Sequence, residues 1–268
     1  MNRQAYDTDL SDIGWEILAP LIPPEKRGGR HRSVEMREVL NAIFYVLRSG
    51  CAWRLVPHDF PAWQTVYGYF SRWRTCGLWE QFNTALREAV REQEERAAAP
   101  TAAILDSQSV KTTAVAGARG YDGAKLVTGR KRHILVDVLG LLLKVVVTTA
   151  NVPERDGAKQ LLTATMAQGL AELALIWADA GYSGPAFADW VLEHCGWLVE
   201  IIKRSDTATG FVILPRRWVV ERTFGWLTRC RRLGKDYEVL SATSEAWIYA
   251  AMVQLMLGRL ARNPAVYL

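Results

Sequence analysis

Three acidic residues stand where a chain of this kind can build chemistry. Asp106 follows the apolar run Ala-Ile-Leu, Asp179 follows Leu-Ile-Trp-Ala, and Glu221 lies within a strongly basic stretch from Pro215 to Glu238. The two apolar runs read as short strands, and in open α/β sheets ligands gather beyond the carboxyl ends of strands. Two carboxylates at the ends of neighbouring strands, with Glu221 on a helix packed nearby, would form an acidic pocket for hard divalent cations. In phosphodiester cleavage and strand transfer, two such ions about 3.5–4 Å apart activate the attacking oxygen and neutralise the leaving one. Mg2+ takes only one or two carboxylates per ion, so three acids suffice for a pair. Each aspartate alone reads more readily as a structural loop residue after a strand than as a catalytic one. Asp137, Asp156 and Asp189 are rivals, although Asp137 falls mid-strand and the others at a helix start and on a solvent face.

Positive charge surrounds these acids. Arg216, Arg217, Arg222, Arg229, Arg231, Arg232 and Lys235 crowd around Glu221, more than one carboxylate needs as partners. Pro215 suits a first helical turn and Gly234 a helix end, with Val220, Phe224 and Leu227 as the apolar stripe between them. Such a helix suits a polyanion; a solvated basic face is the alternative. A second basic segment, Gly120-Tyr-Asp-Gly-Ala-Lys and Gly129-Arg-Lys-Arg-His133, reads as a loop whose glycines allow close backbone approach. Its Lys125, Arg130, Lys131 and Arg132 suit phosphates, with an exposed charged loop as the other reading.

The net charge of +5 and pI near 9.1 are moderate, but the clustering points to nucleic acid more than to a membrane surface. Cys51, Cys76, Cys195 and Cys230 have no paired spacing and form no metal-ligand pattern with the four histidines, so reduced thiols and no structural zinc are expected. The polar start and the broken apolar runs exclude a signal peptide and a membrane span, which predicts a cytoplasmic protein.

The elements that must position these residues divide in two. Residues 10–24 predict a short helix capped by Ser11, followed by a basic loop carrying Arg30 and Arg32. Ser33 opens a second helix ending near Gly50, and Trp63, Val66, Phe70 and Trp73 mark a third, whose outer face shows Arg72 and Arg74. Three short helices with tight turns fit a helix-turn-helix module, as they fit small bundles with no DNA role. A fourth helix from Leu78 runs into a charged, alanine-rich linker at 93–100, which predicts an all-α domain over 1–92 and a second domain over 101–268. In the second, strands at 102–105, 133–138, 141–149, 173–178 and 197–202 alternate with helices at 156–169 and 184–195, and two helices end the chain. The order is that of an α/β sheet covered by helices.

Four motifs, Asp106-Ser-Gln-Ser, Gly120-Tyr-Asp-Gly-Ala-Lys with Gly129-Arg-Lys-Arg-His, Ala178-Asp-Ala-Gly-Tyr-Ser-Gly184 and Arg216-Arg-Trp-Val-Val-Glu-Arg-Thr-Phe-Gly-Trp-Leu, resemble bacterial DDE transposases of the insertion sequence five family. The resemblance covers nearly the whole chain; Trp53-Arg-Leu-Val-Pro57 and Trp63-Gln-Thr-Val-Tyr67 are similar to that family's helical DNA-binding domain. It implies a ribonuclease H-like catalytic domain in which Asp106, Asp179 and Glu221 hold two Mg2+ or Mn2+ ions. It also implies double-stranded DNA partners, terminal inverted repeats and target, bound by a homodimer or larger assembly. Arg217 keeps the family's arginine four residues before the third acid, but Leu214 and Thr228 stand where tyrosine and lysine are common, with Arg229 adjacent. Another ribonuclease H-like nuclease, such as a resolvase, and a DNA-binding derivative without catalysis remain the alternatives.

Overall fold

A computed structural model of the chain describes residues 3–25, 32–114, 117–202 and 215–262, with side chains from Trp218 onward in the last segment. Helix α1 (Asp12–Leu18) starts as its sequence predicts, with the Ser11 hydroxyl accepting from the Gly14 amide at 3.1 Å. Helix α2 (Met36–Ser49) ends at Gly50, whose φ of +71° closes the helix in the left-handed region that glycine adopts freely. Helices α3 (Trp63–Thr75) and α4 (Leu78–Gln93) complete the amino-terminal set.

The sheet contains β1 (Ala102–Lys111), β2 (Gly120–Asp122), β3 (Val127–Asp137), β4 (Leu142–Thr149), β5 (Leu175–Ala178) and β6 (Leu198–Ile201). Strand β3 pairs antiparallel with β1, β2 and β4, while β1, β5 and β6 run parallel in that order. Helix α5 (Glu154–Met166) connects β4 to β5, and α6 (Pro185–Cys195) connects β5 to β6. Helices α7 (Pro215–Thr228) and α8 (Ser241–Leu260) end the described chain. This is a mixed α/β fold, and its order of three antiparallel pairings followed by two parallel ones fits a ribonuclease H-like domain.

Strand alternation sorts the core into two layers. Ile104, Ile134, Val136, Val145 and Val147 face α2, α3, α4, α7 and α8, whereas Ala103, Leu105, Leu135 and Leu143 face α5 and α6. The first layer runs without interruption from the amino-terminal helices to the sheet. Trp247 of α8 stacks on Phe70 of α3 at 4.2 Å and on Trp53 at 5.4 Å, so residues on both sides of the 93–100 segment share one aromatic cluster.

Several boundaries differ from expectation. Strand β1 does not stop at Leu105 but continues to Lys111, because its whole length pairs with β3 from Asp137 back to Gly129. The expected loop before residue 133 is strand: β2 and the first half of β3 form a hairpin there. Helix α5 begins two residues before Asp156, and α7 stops at Thr228 rather than Gly234. Beyond Thr228 the chain turns at Cys230 into a single 3-10 turn, Arg231–Leu233, which buries Cys230 and Leu233.

Candidate active site

The parallel pairing of β1 with β5 brings two of the three acids together. Registered pairs run Ala102 with Leu175, Ala103 with Ile176 and Ile104 with Trp177, so Asp106 and Asp179 emerge just beyond the paired segment. Both line one cleft with Ile104, Leu105, Trp177, Ala178, Ile202 and Val220. Asp106 therefore lies within a long strand, not at a strand end. It is the parallel partner that stops, and this opens the cleft. Asp179 leaves β5 and accepts from the Gly181 amide at 2.9 Å, which fixes its carboxylate over a one-turn 3-10 helix, Ala180–Tyr182. The Asp106 carboxylate accepts from the Ser107 amide at 2.6 Å.

Glu221 is exposed on α7, immediately after Val220, the residue that α7 contributes to the cleft. The helix is held against the sheet by Thr223, whose hydroxyl donates to the Gly140 carbonyl at 2.8 Å. Gly140 turns between β3 and β4 at φ +79°, and a Cβ there would lie 2.8 Å from the Thr223 hydroxyl, so the close approach of α7 requires glycine. Among the described residues, no group of three or more His, Cys, Asp or Glu side chains is close enough to hold a metal ion. The two aspartates offer the hard oxygen donors that suit one divalent cation.

A fourth acid lies closer to the aspartates than sequence spacing indicates. Glu154, in the first turn of α5, accepts from Ser107 Oγ at 3.2 Å and from Lys125 Nζ at 2.8 Å. A Cβ on Gly181 would stand 2.8 Å from Glu154 Oε2 and 3.0 Å from Asp179 Oδ1, so only glycine leaves room for both carboxylates. Burial raises the Glu154 pKa, but the bonds from Lys125 and Ser107 and the neighbouring charges outweigh it and hold the carboxylate below its usual range. Tyr182 is buried against the same group, and desolvation followed by the Asp106 charge drives its phenol well above its ordinary pKa. The signal for Glu154 lay in Asn151-Val-Pro-Glu154, an acid in the first turn after a proline, a position that helix dipoles favour for carboxylates.

The expected phosphate contacts separate into three groups. Arg130, Lys131 and Arg132 are corrected: they lie in β3, not in a loop, and are 1%, 4% and 1% exposed. Arg130 pairs with Asp236 at 3.2 Å and donates to the Val239 carbonyl, Lys131 pairs with Asp122 at 3.3 Å, and Arg132 donates to the Leu233 carbonyl at 2.9 Å. These cations tie the hairpin to the chain's end; burial pulls Arg132 down to about 10. Asp137, a rival acid, is likewise structural, buried and paired with Arg91 at 2.7 Å.

A second group is half-buried and engaged. Arg74 bonds Thr243 of α8, Arg32 donates to the Pro23 carbonyl at 2.9 Å, and Arg232 holds Glu238 at 2.5 Å. Arg222 donates to the Leu139 carbonyl at 2.9 Å and lies over the rings of Trp218 and Trp226. The third group is open to solvent: Lys125, Arg72, Arg229 and Arg231. Arg30 and the side chains of Arg216 and Arg217 lie outside the described residues. Among the described residues no helix is long and apolar enough to cross a membrane.

Comparison with known proteins agrees with this architecture. The family model described as "Transposase DDE domain" matches residues 97–256, and one provisionally described as a transposase of the IS4/5 family matches residues 10–83. An uncharacterised 16.2 kDa protein of insertion element IS402 from Burkholderia cepacia is 28% identical over 109 residues, 38% of this chain and 72% of that protein. A protein provisionally named as the transposase for insertion sequence element IS402, from the same organism, is 31% identical over 116 residues, 41% of this chain and 54% of that protein. The chain thus spans about half the length of the latter relative. No solved structure matches. The sheet order, the two aspartates of one cleft and a family match across more than half of the sequence agree: the chain belongs to the DDE transposases, in the IS4/5 family.

Proposed function

We propose that this chain binds the terminal inverted repeats of an insertion sequence, cleaves the DNA at the element's ends and joins the freed 3′ hydroxyls to target DNA. The observation that carries the reading is the shared cleft of Asp106 and Asp179 at the point where the parallel β1–β5 pairing stops. DDE transposase domains generally use divalent metal ions. Asp106 and Asp179 would hold the first Mg2+ or Mn2+, with Glu221 completing a second position from α7. Bound there, such ions supply charge neutralisation at the phosphodiester.

The chain's own residues do the rest of the work. The Gly181 amide keeps Asp179 oriented, and the Ser107 amide does the same for Asp106. Lys125, exposed and held by Glu154, would meet a phosphate approaching the aspartates. Residues 1–92 supply end recognition in the manner of a helix-turn-helix module, with α3 presenting Gln64, Thr65, Tyr67 and Arg72 to solvent. Both ends must be processed together, which calls for a homodimer or larger assembly on DNA, acting in the bacterial cytoplasm.

A duplex carrying the inverted repeats that flank the gene tests this reading. Incubated with the protein and Mg2+, it should be nicked at the repeat boundary and joined to a second duplex, and EDTA should stop both steps. Cleavage at branched junctions with no preference for the repeat would overturn the transposase reading in favour of a resolvase.

A further inference from the structure

At the end of α7, beyond Val220 and the aspartates' cleft, three helices bring arginines to one groove. Arg48 comes from the last turn of α2, Arg229 from the end of α7, and Arg259 and Arg262 from the end of α8. Asp7 is the acid in the lining. Among the described residues none of these four guanidiniums forms a salt bridge. Arg48 donates to the Arg229 carbonyl at 3.4 Å, which brings the two residues together without neutralising either.

The floor of the groove explains how so much like charge is held. Trp226 carries two guanidiniums, Arg222 at 4.8 Å and Arg259 at 4.6 Å from its ring centre. Cation–π attraction of about 0.5–2 kcal/mol each offsets part of their mutual repulsion. Burial first, and the Arg222 charge next, lower the Arg259 pKa, while Asp137 and Glu94 raise it. Asp137 is committed to Arg91, so it is not a free counter-ion for the groove. Positive charge assembled at this cost, with one acid beside it, is complementary to a polyanion.

We propose that this α2–α7–α8 groove is a second, sequence-independent binding track for the sugar-phosphate backbone of a DNA duplex, with Arg48, Arg229 and Arg262 as its phosphate contacts and Arg259 as its fixed base. The assignment of DNA as the polyanion rests on the transposase reading. Arg229 follows Glu221 by eight residues, about 12 Å at helical rise, a distance of three to four base-pair steps. Helix α7 thus borders the aspartates' cleft at Val220 and the groove at its far end. A duplex lying along it would meet both.

Counterion release gives the test, because each phosphate contact adds about 0.9 to the slope of log K against log salt. Binding of the full chain to a duplex of arbitrary sequence, in EDTA so that no cleavage occurs, would be measured from 50 to 300 mM salt. Arg48, Arg229 and Arg262 are exposed, so the triple Arg→Gln variant should fold; the single Arg48→Gln variant carries the same test should the triple melt early. The triple should lose about 2–3 from the slope and the single about 1. An unaltered slope overturns the proposal. So does an unaltered slope with a change in sedimentation, which would give the groove to a second copy of the chain. Cleavage at the repeats in the separate Mg2+ assay with an unaltered slope here would retire the groove alone; a lowered slope here with no cleavage in that assay would retire the transposase reading alone.

Discussion

Lys125 and Glu154 form a 2.8 Å ion pair that holds the lysine against the backbone of Ser107, the neighbour of Asp106 in β1. The pair is partly exposed, so its contribution to stability is small, within about 1 kcal/mol. Its contribution to positioning is larger, since Glu154 is anchored by Ser107 and Lys125 reaches from the β2–β3 hairpin to the carbonyl of Ser107, next to Asp106. Glu154→Gln should leave the melting temperature nearly unchanged while strand cleavage falls about 10- to 100-fold, the range expected when a substrate-positioning charge is misplaced. Lys125→Ala should match it, and the double variant should be no worse than either. Full cleavage by Glu154→Gln would show that the pair serves only the hairpin.

His133 makes folding sensitive to mild acid. It lies in β3, fully buried, with Nε2 3.1 Å from Thr148 Oγ1 and with the backbone of Gly157 packed on its ring. Burial, with the Lys131 charge second, lowers its pKa from the ordinary 6.5 to about 4. Between these values the unfolded chain binds the proton and the folded chain does not, so stability rises with pH across this window. The stability is fully present above about 6.5 and is lost progressively toward 4. Urea unfolding at pH 7.5 and pH 5 should differ by about 2 kcal/mol, and His133→Asn should flatten that difference. Equal slopes for parent and variant would place the titration elsewhere.

Trp247 ties the amino-terminal helices to the α/β sheet. It is 1% exposed, and its stacking on Phe70 and Trp53 crosses from α8 to α3 and the 3-10 turn Trp53–Leu55. Trp247→Ala should cost about 3–5 kcal/mol through the lost burial and the cavity left behind. Because one apolar layer spans both regions, the parent should unfold in a single transition by circular dichroism and by fluorescence. Two separated transitions in the parent would mean that residues 1–92 fold as an independent unit.

The helices were legible because their signals are local. The Ser11 cap, Gly50 at the end of α2 and the Trp63–Val66–Phe70–Trp73 spacing each act within a turn or two of chain. Asp106 and Asp179 were legible because each follows an apolar run that must be a strand. The basic run at 130–132 misled because charge in a sequence says nothing of what crosses to meet it. Its partners Asp122, Leu233 and Asp236 lie on β2 and after α7, and only the folded sheet brings them over β3. Glu154 was missed for the same reason, since its link to the aspartates runs through Ser107 on a strand 47 residues earlier. The end of α7 was misplaced because Gly234 offered a helix stop, whereas burial of Cys230 and Leu233 turns the chain sooner.

Strand cleavage by Asp106→Asn and Asp179→Asn proteins, on a duplex bearing the terminal repeats with Mg2+ present, tests the central claim most directly. Each change keeps the size of the side chain and removes one carboxylate from the cleft between β1 and β5. Both variants should bind the repeat as tightly as the parent and cleave it at least about a thousandfold more slowly, as expected when a group acting at the reacting phosphate is lost. Parent-like cleavage by either variant would contradict the assignment of that aspartate, and parent-like cleavage by both would contradict the site.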